Sequence, residues 1–175
     1  MAEQHEDTGD PAEAPPRTRV ITWDDPLAIA AGAKGSGGLE FIQRLIRGEI
    51  PPPPILRTLG IQLESAAEGE VVFSLEPAEY HYNPIGSVHG GVYATILDSA
   101  TGCAVHSRLP AGTGYTSLDL SVKFLGAIRL GHGKLLCTGT VTHLGRRTAL
   151  AEARLETQDG RLLATATSSC LLLTA

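Results

Sequence analysis

The chain has 175 residues, 42% of them apolar, 19% charged and 5% aromatic, a size that allows one sizeable core with a small appendage and argues against two full domains. Fourteen Lys and Arg against nineteen Asp and Glu leave a formal charge of −5, which excludes the broad basic field that non-specific nucleic-acid binding requires. No apolar run approaches the roughly eighteen residues that span a bilayer, and the start is acidic, so a cytoplasmic protein without membrane insertion is expected.

Residues 1–38 carry EQHEDTGDPAEAPP and then AAGAKGSGG, stretches too polar and too rich in small residues to offset their ordering entropy. They read as a mobile N-terminal extension that is dispensable for chemistry. Within it Val20, Ile21 and Trp23 form an apolar knot, read either as a docking element or as a partly exposed tail. Gly35-Ser-Gly-Gly38 lacks the Lys-Ser or Lys-Thr successor of a phosphate loop and is a linker. Residues 39–54 hold a short amphipathic helix over Leu39–Arg47, in which Leu39, Ile42, Ile46 and Phe41, Leu45 recur at spacings of three and four. Gly48 ends it, and Pro51–Pro54 form a polyproline spacer.

Residues 55–175 form the main domain. Ile61, Leu63 and then Val71, Phe73, Leu75 alternate with polar residues around Glu68-Gly69, which predicts a hairpin. The segment Gly90–Ser107 loses the period of two and predicts a buried helix, apolar nearly all round. Four strands follow, over Tyr115–Phe124, Gly133–His143, Thr148–Thr157 and Arg161–Leu173, the last three joined by turns into an antiparallel meander. The order implies an α+β fold, one long helix wrapped by a curved antiparallel sheet of about five to six strands. Cys103, Cys137 and Cys170 are odd in number, lack CxxC spacing and lie in apolar or small-residue stretches. They read as buried, inert thiols in a reducing compartment, with no metal site expected.

Chemistry concentrates around the helix start, Asn83-Pro-Ile-Gly-Ser-Val-His89-Gly90-Gly91. Gly90 and Gly91 open the helix, where unpaired N–H groups and the positive end of the dipole polarise a carbonyl oxygen and missing side chains admit a substrate. Asp98 is the only charged residue between Tyr80 and Ser107. A carboxylate there costs stability unless it is paired, hydrated or used. It lies eight residues after Gly90, about 12 Å along the helix, too far for both to touch one carbonyl group within a single chain.

The stretch from Asn83 through His89-Gly90-Gly91 to Asp98, nine residues after the His, resembles the acyl-CoA thioesterases of the hotdog-fold superfamily. The likeness is to the PaaI-like branch, of the phenylacetate-pathway and 4-hydroxybenzoyl-CoA thioesterase type, and covers about residues 55–175. The resemblance implies hydrolysis of an acyl-CoA to the free acid and coenzyme A, with no cofactor besides the coenzyme A of the substrate. It implies a homodimer as the catalytic unit, Gly90 from one subunit meeting Asp98 from the other, commonly in a dimer of dimers. Asp98 then acts as general base or as nucleophile, Gly90 N–H polarises the carbonyl, and Asn83 holds substrate or water. His89 and Gly91 order the helix start. In Thr116-Ser117-Leu118-Asp119 one hydroxyl, Ser117 rather than Thr116, orients the water, since alternation puts the two on opposite faces. The turn Gly145-Arg146-Arg147 offers two guanidinium groups to the nucleotide phosphates of coenzyme A. Two other readings of the same fold are a non-catalytic acyl-CoA-binding or sensing module and a hydratase or dehydratase; Asp98 opposes the first, and the acid and His pattern of the second is not visible.

Overall fold

Alternating residues downstream of Gly60 make strands, and the turn residues between them set the connections. The computed structural model describes residues 16–33 and 35–174. β1 (Ile61–Ala67) and β2 (Glu70–Leu75) form the expected hairpin. β5 (Leu135–Leu144), β6 (Thr148–Thr157) and β7 (Leu162–Thr174) form the expected meander. β3 (Thr113–Ser117) and β4 (Ser121–Phe124) both lie antiparallel to β7. The sheet therefore has seven strands in the order β1-β2-β5-β6-β7-β3, with β4 also on β7.

Seven rather than five to six strands result because the segment expected as one strand, Tyr115–Phe124, is two. Asp119 breaks it. Its carboxylate accepts from Ser169 N at 3.2 Å and from Ser169 Oγ, and its carbonyl accepts from Ser168 Oγ at 2.8 Å. Leu118 N still donates to Ser169 O at 2.8 Å, and beyond it these side-chain and carbonyl bonds to β7 replace ladder pairing over Asp119–Leu120 and let the chain restart as β4.

α4 (Gly90–His106) lies across one face of the sheet. Val92, Tyr93, Ile96, Leu97, Ala100, Ala104 and Val105, spaced by threes and fours, are its buried stripe. Full burial of a side chain such as Leu97 contributes about 1.5–3 kcal/mol. The contact is close because β5 carries Gly139 beneath the helix: a Cβ there would sit 2.2 Å from Ala100 O. The helix is not buried all round, since Gly91 and Asp98 are exposed. The small and polar residues Gly91, Thr95, Asp98 and Ser99 share the side that the sheet leaves open.

The N-terminal region departs most from expectation. Residues 1–15 of the expected mobile extension lie outside the described residues, and residues 16–38 are not a featureless tail. α1 (Pro26–Gly32) starts on Asp25, whose side chain accepts from Leu27 N at 2.9 Å with Pro26 at the first helical position, and it buries Ile29. Within the apolar knot Val20 and Trp23 stay 91% and 62% exposed, while Ile21 is half-buried. α2 (Gly38–Ile46) matches the expected amphipathic helix and buries Ile42. The polyproline spacer is shorter than expected. Pro51–Pro53 are non-helical, but Pro54, its preset φ suited to a first helical position, begins α3 (Pro54–Leu59), which ends on left-handed Gly60. Among the described residues no helix is long and apolar enough to cross a membrane.

Candidate active site

The start of α4 is built to leave one backbone donor free. His89 caps it, its Nδ1 accepting from Gly91 N at 2.9 Å, which makes the ring the neutral Nε2–H tautomer. Gly90 N–H has no acceptor among the described residues. It is the free donor at the positive end of a 17-residue helix. The neighbouring backbone is pinned: His89 N donates to His81 O at 2.7 Å, and Val88 N donates to Ile128 O at 3.0 Å. Phe124 overhangs the glycine, its Cζ 3.3 Å from where a Cβ would sit.

Asn83 shapes the loop that leads to this point. Its Oδ1 accepts from Ile85 N at 3.0 Å and Ser87 N at 3.2 Å, and its Nδ2 donates to Ser87 Oγ at 3.1 Å. Asn83 is thus a turn former, with its Oδ1 and Nδ2 both engaged within the loop. Asn83, Gly90, Tyr93, Phe124 and Gly126 line a cleft of about 350 Å³. Tyr93 fixes the far wall, its hydroxyl donating to Gly126 O at 3.0 Å and accepting from Ile128 N at 2.7 Å, while its ring meets Phe124 edge-on.

The acid stands apart from the donor. Asp98 projects from the open side of α4, where Ser117 Oγ donates to its Oδ1 at 3.1 Å; Oδ2 has no partner among the described residues. Alternation along β3 turns Ser117 toward the helix and leaves Thr116 exposed on the other side. The choice of Ser117 over Thr116 thus has a geometric reason. Gly90 and the Asp98–Ser117 pair are therefore two separate places on the chain, about 12 Å apart along the helix. Burial, with the Asp98 charge adding to it, pushes the Cys103 thiol up to about 12. Cys137 is buried and raised in the same way, so neither thiol is poised to react.

Gly145 N donates to Thr148 O at 2.8 Å and closes the β5–β6 turn, from which Arg146 and Arg147 project exposed. Neither guanidinium has an ion-pair partner among the described residues. Thr148 stands opposite Leu171, which stands opposite Thr116, so the turn lies two strand spacings, about 10 Å, from the end of the sheet that carries Ser117.

Three residues that build the site escape sequence reading: His81, Tyr93 and Phe124. His81 is 2% exposed, with Nδ1 accepting from Ala78 N at 3.0 Å and Nε2 donating to Leu59 O at 2.8 Å. Burial holds its pKa below the ordinary value, outweighing the bond to Leu59, and the Arg19 charge lowers it further. The one signal for it was a histidine in an otherwise uncharged loop, two residues before Asn83.

Known proteins resemble this chain in sequence and fold. Residues 85–164 match the Thioesterase superfamily profile. A protein of Halobacterium salinarum named as an esterase is 33% identical over 113 residues, 62% of this chain and 73% of that one. Human acyl-coenzyme A thioesterase 13 is 32% identical over 110 residues, 62% of this chain and 77% of its own. Among solved structures, a phenylacetic acid degradation-related protein of Ralstonia eutropha JMP134 is 30% identical with a TM-score of 0.67, covering 74% of this chain and 98% of that one. The PaaI protein of E. coli, at 21% identity, shares the fold with a TM-score of 0.68 over 77% of this chain and 94% of its own. The fold is that of the hotdog thioesterases, and the chain belongs to the thioesterase superfamily as a thioester hydrolase.

Proposed function

We propose that the chain hydrolyses acyl-CoA thioesters as a homodimer in which each site takes Gly90 from one subunit and Asp98 with Ser117 from the other. One observation carries the reading: Asp98, the only charge on its helix, stands exposed on the open side and is held by Ser117 with one carboxylate oxygen free. A structural acid would be satisfied within the chain, and an idle one would have no need of an orienting hydroxyl. The midpoint between Gly90 and Asp98 is Ala94, a small residue on the same helix. A two-fold axis passing there would lay two copies of α4 antiparallel and set each Gly90 beside the partner's Asp98. β3, at the edge of the sheet, would meet its own copy in the same arrangement.

In such a site the Gly90 N–H donates to the thioester carbonyl oxygen as it gains negative charge, a contribution worth about 3 kcal/mol per donor. Asp98 Oδ2 takes a proton from a water that attacks the carbonyl carbon, or attacks it directly to give a mixed anhydride that water then opens. Either route breaks the C–S bond and releases coenzyme A as the thiol and the acyl group as the acid. Asn83 keeps the loop beside the donor in shape. Arg146 and Arg147, exposed on the β5–β6 turn, would meet the nucleotide phosphates.

The reading is tested by assaying a panel of aromatic, short-chain and long-chain acyl-CoAs with a thiol-trapping dye, using the full chain and Asp98→Asn. The substitution keeps shape and removes basicity, so kcat should fall by about a hundredfold or more. Because Asp98 is exposed, the thermal midpoint should stay close to that of the parent. Near-native turnover by Asp98→Asn would overturn the assignment.

A further inference from the structure

The residues ahead of α1 lie against the element that holds the helix start. Arg19 donates through Nη1 to Thr58 O at 2.6 Å and through Nη2 to Arg57 O at 3.0 Å, two carbonyls at the end of α3. Its guanidinium carbon sits 3.9 Å from the centroid of the Tyr80 ring. Arg17 Nε pairs with Glu79 Oε2 at 2.6 Å. One short segment therefore ties α3 to the Glu79–His81 turn from outside, with a planar fork, a stacked ring and an ion pair.

The inner side of that turn leads to the chemistry. His81 Nε2 donates to Leu59 O at 2.8 Å, so the imidazole bridges the same two elements from within. The Tyr80 and His81 rings meet edge-on at 4.3 Å, which puts the outer and inner clamps in direct contact. The carbonyl of His81 then accepts from His89 N at 2.7 Å, one residue before the free donor. An exposed ion pair alone is worth little. Here several contacts converge on a three-residue turn whose last carbonyl sets the entry angle of α4.

We propose that residues 16–21 form a strap in which Arg19 is a positioning residue for hydrolysis, fixing through the Glu79–His81 turn the direction in which Gly90 presents its N–H. The role rests on Gly90 as the carbonyl donor, and it revises the expectation that the whole N-terminal extension is dispensable for chemistry. A donor aimed at a developing charge loses its effect with small displacements, so the strap acts on turnover more than on binding.

The test uses the full chain, with ¹H–¹⁵N spectra beside kinetics. Arg19→Ala should shift the His89 and Gly90 amide signals and lower kcat about tenfold, with KM within about twofold of the parent. Arg19→Lys keeps the charge and one donor but loses the fork, and should recover part of kcat. Trp23→Ala, at an exposed position a few residues on, should change neither readout. An unmoved Gly90 amide in Arg19→Ala, whether kcat holds or falls with the thermal midpoint, would overturn the proposal. A shifted amide with unchanged kcat would show that the strap sets the geometry while Gly90 N–H takes no part in turnover, overturning the reading on which the proposal rests. Because the amide shift is read without substrate, the coupling of the strap to the helix start through the Glu79–His81 turn is tested even if no acyl-CoA in the panel is hydrolysed.

Discussion

Charged and polar side chains are legible in this sequence when they break a pattern. Asp98 stands out because the surrounding stretch has no other charge; its exposure does not, because exposure depends on which helix face the sheet covers. His81 illustrates the opposite case, a buried histidine whose importance lies in carbonyls and amides that sequence does not display. Its ring must stay neutral, and burial holds its pKa below the unfolded value of about 6.5. The unfolded chain therefore binds more protons, and the stability present above that value should be lost as pH falls through the lower folded pKa. Urea midpoints measured between pH 7.5 and 5 should drop more for the parent than for His81→Gln, which cannot charge; parallel drops would contradict this. The arginine turn makes a separate prediction. Arg146→Ala with Arg147→Ala should raise KM for acyl-CoA several-fold and leave kcat nearly intact, since the proposed phosphate contacts would lie far from the thioester. An N-acetylcysteamine thioester, which lacks the nucleotide, should be hydrolysed as before. Equal losses on both substrates would make the turn structural.

Among the elements, those with a strong period are the ones that sequence reading finds. α4, β5, β6 and β7 carry alternating or three-four patterns and lie within a residue or two of their expected ends. The break between β3 and β4 is not visible in the pattern, because it is made by Asp119 bonding to a strand fifty residues away. α1 and α3 were missed for another reason: they are 7 and 6 residues long, and each begins at a proline that reads as a breaker until it is seen at a helix start. The approach of α4 to the sheet makes a direct test of packing. Gly139→Ala would place its Cβ 2.2 Å from Ala100 O, backbone that cannot rotate away. The variant should lose about 1–3 kcal/mol or more, read as a lower denaturant midpoint, and should lose activity as the helix is displaced. A variant as stable as the parent would mean that the helix rides higher above β5.

At the scale of the whole molecule, the proposed site needs a second copy of the chain. Gly90 and Asp98 lie eight residues apart on α4, about 12 Å, too far to act on one carbonyl within a single chain. Light scattering should accordingly give at least twice the chain mass, as a dimer or a pair of dimers. The proposed dimer is legible in the sequence as the spacing from Gly90 to Asp98 and through the family resemblance alone, since a single chain carries no pattern for the surface that meets its copy. The most direct test is subunit complementation. Gly90→Pro removes the donor at a first helical position that tolerates proline, and should cost about a hundredfold or more in kcat. Asp98→Asn removes the acid. Co-expressed with different tags and purified as a mixed dimer, the two inactive chains should form one intact site and recover about half the activity of the parent. A mixed dimer no more active than either variant alone would contradict the shared site and place donor and acid within one chain.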